Sequence, residues 1–294
     1  MKRFFRTLFL LLVIGAGAGW YLTSPKTTDP AELDGMTGDP QSGHFIFLAG
    51  GCSSCHAADK ATGDDKLVLS GGKEFVSPFG TFFAPNISND PQHGIGNWTD
   101  LQLVNAMKHG VSPEGQHYFP AFPYTSYTNV PVDEIVDLRA YMATLPASSV
   151  PSQDHLVSFP FNIRRSLGGW KLLFMKQGPI TAASSEQTIR GRQLVEGLVH
   201  CSECHTPRNF LGGTKYRSWL TGAPNPSGKG TIPNISAAHL GWTADEIVEY
   251  LTSGFTPEFD SAGGEMVSVI QNISQLPQSD REAIAAYLLT IGSR

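Results

Sequence analysis

The feature that most constrains this chain is a five-residue pattern, Cys-x-x-Cys-His, which occurs twice and uses every cysteine in the sequence. The residues of the two copies are Cys52, Cys55 and His56, and Cys201, Cys204 and His205. Two thiols one helical turn apart can add to the two vinyl groups of a porphyrin, and the imidazole that follows can bind its iron. The pattern therefore predicts two covalently bound haems c, with His56 and His205 as iron ligands.

Other sites also use paired cysteines. Four thiolates can hold zinc, but such a site does not need a histidine directly after each second cysteine. A thioredoxin-like redox motif is expected beside a βαβ pattern, and none is visible in this sequence. Two disulfides are conceivable in an oxidising compartment, although exported chains with only local Cys-x-x-Cys pairs rarely use them as staples.

The two motifs lie 149 residues apart, and the segments that follow them repeat each other. The matching segments are Pro85-Asn86-Ile87-Ser88 with Pro233-Asn234-Ile235-Ser236, Gly96-Asn97-Trp98-Thr99 with Gly241-Trp242-Thr243, and Ala140-Tyr141 with Ala286-Tyr287. The step from the tryptophan to the next glycine, Gly110 in the first half or Gly254 in the second, is 12 residues in both halves. Such self-similarity indicates two copies of one domain.

The secondary-structure signals in both copies are helical. Capping-box patterns, in which Ser or Thr is followed three residues later by Gln or Glu, occur at Thr99, Thr243 and Ser279 before amphipathic runs. The glycine- and proline-rich stretches 70–97 and 211–234 contain no convincing strand pattern. We therefore predict an all-α fold with long loops, suited to wrapping a flat cofactor.

The repeat also predicts the domain boundaries. One haem-binding domain is expected at 26–150 and the other at 186–294, with a linker at 151–185 between them. The linker contains prolines and glycines, but its aromatic and leucine residues predict that it packs against a domain rather than forming a free tether.

Residues 1–25 predict an export signal or a transmembrane anchor. Basic residues precede an apolar stretch at 8–22, an arrangement that retains the basic end in the cytoplasm. The stretch is short for a span of about 17–25 residues, and Ala16–Ala18 offers a small-residue cleavage site. Trp20 and Tyr21, in contrast, occupy the position of an interfacial aromatic anchor. We expect a retained anchor, with the remaining chain exported.

The charge balance excludes one class of partner. The chain has 21 basic and 26 acidic residues, so its surface lacks the basic excess typical of nucleic-acid-binding proteins. An acidic exported part fits docking to positively charged partner proteins, and it fits plain solubility equally well.

The sixth iron ligands differ between the two copies. Met266 lies 12 residues after Gly254 and is the only methionine after Cys201, so it is the expected sixth ligand of the second haem. The same count from Gly110 reaches Phe122, which cannot bind iron. The sixth position of the first haem is therefore expected to be vacant or held by a weak or histidine ligand. The residues that could replace the missing sixth ligand of the first haem are His117, His93, His109, Met107 and Met142.

Several segments resemble the membrane-anchored multihaem cytochrome c subunits of periplasmic alcohol and sugar dehydrogenases. The segments that carry the resemblance are Phe79–Thr81, Ala84–Ser88, Gly94–Trp98, Tyr118–Tyr124, Phe159–Asn162, Trp170, Leu194–Gly197, His200–Arg208, Gly212–Gly213 and Pro233–Ile235. The resemblance covers nearly all of residues 40–294, although such subunits often have a third haem domain that this chain lacks. Their first domains usually place methionine where this sequence has Phe122.

This resemblance implies two tandem class I cytochrome c domains behind an N-terminal helix. It further implies haem domains in the periplasm, on a bacterial inner membrane. Electrons would come from a periplasmic dehydrogenase subunit and pass to quinone, a soluble cytochrome or a terminal oxidase. An alternative is a peroxidase-like haem enzyme or a gas sensor that uses an open iron at the first haem, and Phe122 is the feature that supports it.

Overall fold

A computed structural model describes residues 1–225, 228 and 230–292, and most of its regular structure is helical. The α-helices in this part of the chain are α1 (Lys2–Leu22), α2 (Pro40–Ala49), α3 (Cys52–His56), α4 (Asp100–His109), α5 (Tyr124–Tyr127), α6 (Val132–Met142), α7 (Ser166–Phe174), α8 (Glu186–Gln193), α9 (Ser202–His205), α10 (Ala237–Leu240), α11 (Ala244–Ser253), α12 (Met266–Ile273) and α13 (Gln278–Leu288). Helix α8 continues directly into a π-helical turn, Leu194–Leu198, which leads to the second Cys-x-x-Cys-His motif.

Two short antiparallel hairpins correct the prediction of a wholly α-helical chain. Strand β1 (Glu74–Ser77) pairs with β2 (Gly80–Phe83), and β3 (Ala223–Pro224) pairs with β4 (Thr231–Ile232). Both lie inside the stretches that the sequence predicts as loops. The strands have two to four residues, too few to show a reliable period-two pattern, and the glycines and prolines beside them are typical of loops.

The two halves place equivalent helices against each other in the same way. Helix α2 crosses α6 in the first half, and α8 crosses α13 in the second, with a glycine at each crossing point. A Cβ atom at Gly43 would lie 2.0 Å from the backbone oxygen of Asp137, and one at Gly191 would lie 1.9 Å from that of Ala283. The helices approach this closely only because neither glycine has a side chain. The close crossing is therefore duplicated along with the sequence.

Buried apolar residues from both halves form one continuous core. The first half of the chain contributes Phe47 and Ile135 to this core, and the second half contributes Leu194 and Tyr287. Each of these side chains is at most 2% exposed. The two copies therefore share an apolar interface instead of lying apart on a flexible connection.

Helix starts test the capping predictions directly. The side chains of Thr99 and Thr243 each accept a hydrogen bond from the backbone of the third following residue, and Gln102 and Glu246 complete the two capping boxes. The prediction at Ser279 is wrong. Helix α13 begins at Gln278 with Pro277 as its cap, so Ser279 lies inside the first turn. The fixed φ of proline already favours entry into that helix, so no serine cap is required.

Helix α1 is long and apolar enough to cross a membrane. An 18-residue window of this 21-residue helix has a mean hydropathy of 1.6, and none of the helix is buried. At 1.5 Å per residue the helix is about 31 Å long, close to the ~30 Å hydrocarbon thickness of a bilayer. Its first turns contain Lys2, Arg3 and Arg6, which precede the apolar stretch 8–22.

The linker is packed, as its aromatic content predicts. Helix α7 lies in this segment, and its Lys171 ammonium donates to the backbone oxygens of His109 and Gly110, at 2.5 and 2.8 Å. The indole N–H of Trp170 donates to the oxygen of Leu211 at 2.8 Å. The linker thus contacts the first half through Lys171 and the second through Trp170.

Candidate functional site

Each Cys-x-x-Cys-His motif forms a short helical turn at the edge of the shared core. Cys52 begins α3, and Cys201 is the residue directly before α9. No disulfide joins any of the four cysteines in this structure. Burial raises the pKa of the Cys52 and Cys201 thiols to about 12, which keeps both sulfurs uncharged.

The two motif histidines make the same hydrogen bond. The Nδ1 atom of His56 donates to the backbone oxygen of Pro85 at 2.8 Å, and Nδ1 of His205 donates to that of Pro233 at 2.8 Å. The two prolines begin the repeated Pro-Asn-Ile-Ser segments. Because the carbonyl engages Nδ1, each imidazole keeps Nε2 as its free ligating atom. The repeated segments thus orient the two motif histidines.

The segments around these prolines are also duplicated in detail. The amide of Gly71 donates to the oxygen of His56, and that of Gly222 donates to the oxygen of His205, both at 2.7 Å. In each half, a glycine amide therefore binds the last residue of the motif helix.

A shared zinc site has no support in the described part of the chain. In residues 1–225, 228 and 230–292, no group of three or more His, Cys, Asp or Glu side chains is placed to hold a metal ion. The four thiols belong to two separate turns, one in each half.

The loops expected to carry the sixth ligands are in structural register. The amide of Tyr118 donates to the oxygen of Gly110 at 2.7 Å, and the amide of Ala262 donates to that of Gly254 at 2.8 Å. Isolated bridges join the adjacent positions, Val111 with His117 and Phe255 with Ser261. Counting four residues on from Tyr118 and from Ala262 reaches Phe122 and Met266, so the structure aligns these two side chains as the sequence does.

Phe122 and Met266 have different surroundings. The Phe122 ring is half-buried and makes edge contacts with Tyr118, Tyr124 and Tyr127, with ring centroids 6.0, 6.4 and 5.7 Å away. Met266 is half-buried at the start of α12 and packs against the shared core. An aromatic cluster thus occupies the position that a thioether occupies in the second half.

His117 is engaged elsewhere. Its Nε2 donates to the oxygen of Thr23 at 3.0 Å, and its Nδ1 accepts from Lys171 at 3.1 Å. Its side chain is 3% exposed and joins the end of α1 to the first half and the linker helix. Both ring nitrogens are therefore used, and neither is free for iron in this conformation.

Met107, Met142 and His109 also have structural roles. Met107 and Met142 are buried in the core, at 5% and 4% exposure. His109 bonds the hydroxyl of Thr28 at 3.0 Å, and burial lowers its pKa to about 4. The backbone amide of His93 donates to a carboxylate oxygen of Asp90 at 2.6 Å, in a loop before α4.

We call the two motif turns, residues 52–56 and 201–205, the attachment turns, and the segments that carry Phe122 and Met266 the ligand segments. The first attachment turn contacts the ligand segment of the second half. Asn272 of α12 donates from its side-chain amide to the hydroxyl of Ser54, which lies between the two cysteines, at 2.9 Å. Lys73 donates to the backbone oxygen of Ser54 at 3.2 Å and to the carboxylate of Glu265 at 2.8 Å. Glu265 directly precedes Met266, so this contact reaches the expected sixth ligand of the other domain.

The reverse contact is made by the second attachment turn. Glu203, which lies between Cys201 and Cys204, accepts hydrogen bonds from the hydroxyls of Thr125 and Ser126 at 3.1 and 2.9 Å. Both hydroxyls belong to α5, the helix that begins two residues after Phe122. Arg208 forms an ion pair with the other oxygen of the Glu203 carboxylate. Each attachment turn therefore packs on the ligand segment of the other half.

Tyr127 and His200 fill the space between the two turns. Their rings meet edge to face, with centroids 5.6 Å apart. The Tyr127 hydroxyl donates to the oxygen of Gly50 at 3.4 Å, two residues before Cys52, and His200 directly precedes Cys201. An aromatic pair therefore connects the residues beside the first cysteines of the two motifs.

Comparisons with known proteins agree with this geometry. The family model described as cytochrome c matches residues 41–146. A protein of Cereibacter sphaeroides named "Diheme cytochrome c-type" is 53% identical over 98% of this chain and 98% of that protein. This chain belongs to the dihaem cytochromes c.

Longer proteins of the same family are also similar. The "Fructose dehydrogenase cytochrome subunit" of Gluconobacter japonicus is 33% identical over 92% of this chain, and the "Gluconate 2-dehydrogenase cytochrome c subunit" of Pantoea cypripedii is 30% identical over 86%. This cytochrome spans only 56% and 59% of their respective lengths. Both relatives are named as cytochrome subunits of dehydrogenases. As a member of the dihaem cytochromes c, this chain is an electron carrier with two covalently bound haems c.

The residues of this cytochrome fit haem. The paired thiols are uncharged and stand on single helical turns, as two thioether bonds require, and each histidine keeps one ring nitrogen free. Sequence reasoning identified these residues but missed Ser54, Asn272, Glu203 and Tyr127. The placement of Ser54 and Glu203 between the motif cysteines was the available signal, although their partners are more than 70 residues away in sequence.

Proposed function

We propose that this cytochrome passes electrons between its two haems, from a periplasmic dehydrogenase to an acceptor in the respiratory chain. Each haem, when bound, supplies one-electron exchange at its iron. The protein holds the two attachment turns rigidly against each other. The observation that carries the proposal is the reciprocal packing, in which Ser54 contacts Asn272 of the second half and Glu203 contacts Thr125 and Ser126 of the first.

The electrostatics of the two turns support their proximity. The pKa of Cys204 is raised by burial above all, and also by the nearby charge of Glu203 and, more weakly, of Glu265 and Cys55. The pKa of Cys55 is raised by burial and also by Glu265. The Glu265 carboxylate thus raises the pKa of the second cysteine in both motifs, which supports the proposed proximity of the two turns.

The iron ligands proposed for the haems are His56 for the first and His205 with Met266 for the second. Phe122 leaves the first haem without a thioether, so its sixth position is proposed to be vacant or weakly held. Because a thioether favours the ferrous state, the first haem would have the lower potential. Electrons entering at the first haem would then move downhill to the second.

The proposed location is a bacterial inner membrane, with α1 as a single retained anchor and both haem domains in the periplasm. The last turn of α1 supports retention, since the oxygen of Thr23 accepts from buried His117 and Trp20 stacks beneath the guanidinium of Arg165 at 4.0 Å. The proposed domains are residues 26–150 and 186–294, with the linker 151–185 between them.

The donor is proposed to be a periplasmic dehydrogenase subunit, because several relatives carry the names of such complexes. The proposed acceptors are quinone, a soluble cytochrome or a terminal oxidase. The test is a pull-down of the tagged full chain from solubilised membranes, followed by reduction of its haems by the recovered dehydrogenase and its substrate. Reduction of both haems supports the proposal. Recovery of no dehydrogenase, or of one that leaves the haems oxidised, contradicts the donor.

A second candidate function rests on Phe122. If the first haem binds external ligands, the chain could act as a peroxidase-like enzyme or a gas sensor. Carbon monoxide added to the reduced full chain separates the two functions. Tight binding, with turnover of peroxide, would favour the enzyme. If the protein does not turn over peroxide, the result favours the electron-carrier function.

A further inference from the structure

A cleft of about 250 Å³ lies where the membrane helix meets the first haem domain. Its walls are Pro25, Gly115, Gln116, His117, Arg164 and Arg165. Pro25 follows the end of α1 by three residues, so the cleft is at the level where the span leaves the membrane. Phospholipid headgroups occupy this level of a bilayer.

Two arginines supply the charge of this cleft. In the part of the chain that the structure describes, neither Arg164 nor Arg165 has a carboxylate within 4.0 Å, and the five ion pairs found there involve other residues. Glu114, which precedes Gly115 of the cleft wall, is exposed, and so is Asp154, the acidic residue closest in sequence to the two arginines. The two positive charges are thus uncompensated by an ion pair.

The arginines are held in place but retain donors. Arg164 donates one N–H to the oxygen of His117 at 3.1 Å and lies over the ring of Phe119 at 4.4 Å. Arg165 donates through one terminal nitrogen to Ser24 and to the oxygen of Trp20. Its Nε is buried and has no hydrogen-bond partner in the described residues. Because a guanidinium has five N–H donors, both side chains keep donors for a further acceptor.

The residues before the arginines suit a membrane surface. Phe159, Phe161 and Ile163 are 77%, 42% and 45% exposed. Apolar residues at 159–161 and 163, interrupted by Asn162, are followed by two cations, a composition favoured at the boundary between acyl chains and headgroups. Trp20, under Arg165, is the aromatic residue expected at the same depth.

We propose that this cleft binds the phosphate group of a membrane phospholipid through Arg164 and Arg165. Guanidinium groups bind phosphate oxygens in paired, charge-assisted hydrogen bonds, and a buried donor without a partner provides one such bond. The cleft is smaller than the ~300–1,000 Å³ typical of drug-sized ligands and suits a headgroup. The inference rests on the membrane anchoring proposed above and is independent of the electron-transfer partners.

The bound phosphate would fix the first haem domain on the membrane. The same loop that lines the cleft contains His117, which bonds both the end of α1 and Lys171 of the linker helix. A headgroup held there would join these elements at one point and set the orientation of the domain toward the bilayer.

The test uses the full chain with both haems, delipidated in detergent and titrated with phosphatidylglycerol under native mass spectrometry. We expect one retained lipid per chain, and at least a tenfold loss of affinity in the double variant R164Q/R165Q. The matched control, K60Q/R217Q, removes two exposed cations elsewhere and should bind as the parent does. The variant R164K/R165K, which keeps the charge but not the paired geometry, should be intermediate.

Two further probes identify the source of the phosphate. Diacylglycerol with the same acyl chains has no phosphate and should not be retained. Inorganic phosphate should displace the lipid only weakly. Equal retention of diacylglycerol, parent-like affinity in R164Q/R165Q, or saturation by inorganic phosphate with no lipid retained would each overturn the proposal. Unchanged haem content and an unchanged rate of chemical reduction in the variants show that folding and electron transfer are intact.

Discussion

The side-chain amide of Asn272 donates a hydrogen bond of 2.9 Å to the hydroxyl of Ser54. Ser54 lies between the two cysteines of the first motif, and Asn272 lies on the helix that begins with Met266. Together with the opposite contact of Glu203, this bond means that neither attachment turn is positioned by its own domain alone. The two copies act as one structural unit.

The contact of Glu203 should contribute measurably to stability. Glu203→Ala leaves the hydroxyls of Thr125 and Ser126 and the guanidinium of Arg208 without their acceptor in a mostly buried place. We expect a loss of about 1–3 kcal/mol in the free energy of unfolding, measured by denaturant titration of the holoprotein.

The matched control for this variant is Glu265→Ala. Glu265 also joins the two halves, through Lys73, but its side chain is 75% exposed. An exposed pair contributes at most about 1 kcal/mol, so this variant should stay close to the parent. Equal effects of the two substitutions would show that burial of the Glu203 contact does not matter.

Met266 should be the sixth ligand of the second haem. Met266→Ala removes the only thioether that the repeat aligns with the ligand position, so the near-infrared sulfur-to-iron charge-transfer band should disappear. The potential of that haem should fall by at least ~59 mV, which is a tenfold change in a one-electron equilibrium. Survival of the band would assign the thioether bond to another methionine.

Phe122 should account for the difference between the two haems. Phe122→Met places a thioether at the position that Met266 occupies in the other half, so the lower of the two potentials should rise. Any binding of carbon monoxide by the parent should be lost. Potentiometric titration and carbon monoxide difference spectra measure these effects. Two equivalent His–Met haems in the parent, by magnetic spectroscopy, would contradict the prediction and make Met107 the first residue to substitute.

The glycine at the second helix crossing should not tolerate a methyl group. Gly191→Ala would place Cβ 1.9 Å from the oxygen of Ala283, so α8 and α13 must separate. Overpacking of this kind costs about 1–3 kcal/mol, measured as a lower free energy of unfolding. Gly169→Ala in α7 is the control, because its nearest neighbour is a methyl group 3.9 Å away. It should be neutral or slightly stabilising.

Local chemistry explains which parts of the fold could be predicted from the sequence. The capping boxes at Thr99 and Thr243 form because donor and acceptor are three residues apart, a relationship that is visible in the chain. Ser279 has the same pattern, but Pro277 begins the helix first. The haem-attachment residues could be predicted for the same reason, since their chemistry is contained in five consecutive positions.

Long-range contacts explain what could not be predicted. Glu196 stands in an apolar run and would be expected at the surface, yet it is 3% exposed. It accepts hydrogen bonds from the amides of Ile180 and Thr181 and, at 2.5 Å, from the hydroxyl of Tyr287. Its partners come from the linker and the closing helix, and no spacing rule relates them. The contact of His117 with Thr23 is hidden from the sequence in the same way.

The central claim is that each half of the chain holds one haem covalently. Intact-mass spectrometry of the denatured full chain tests it most directly. We predict the polypeptide mass plus two haems, and plus one haem in each of the double variants C52A/C55A and C201A/C204A. A parent chain with one haem or none, or a double variant that keeps both, would contradict the account.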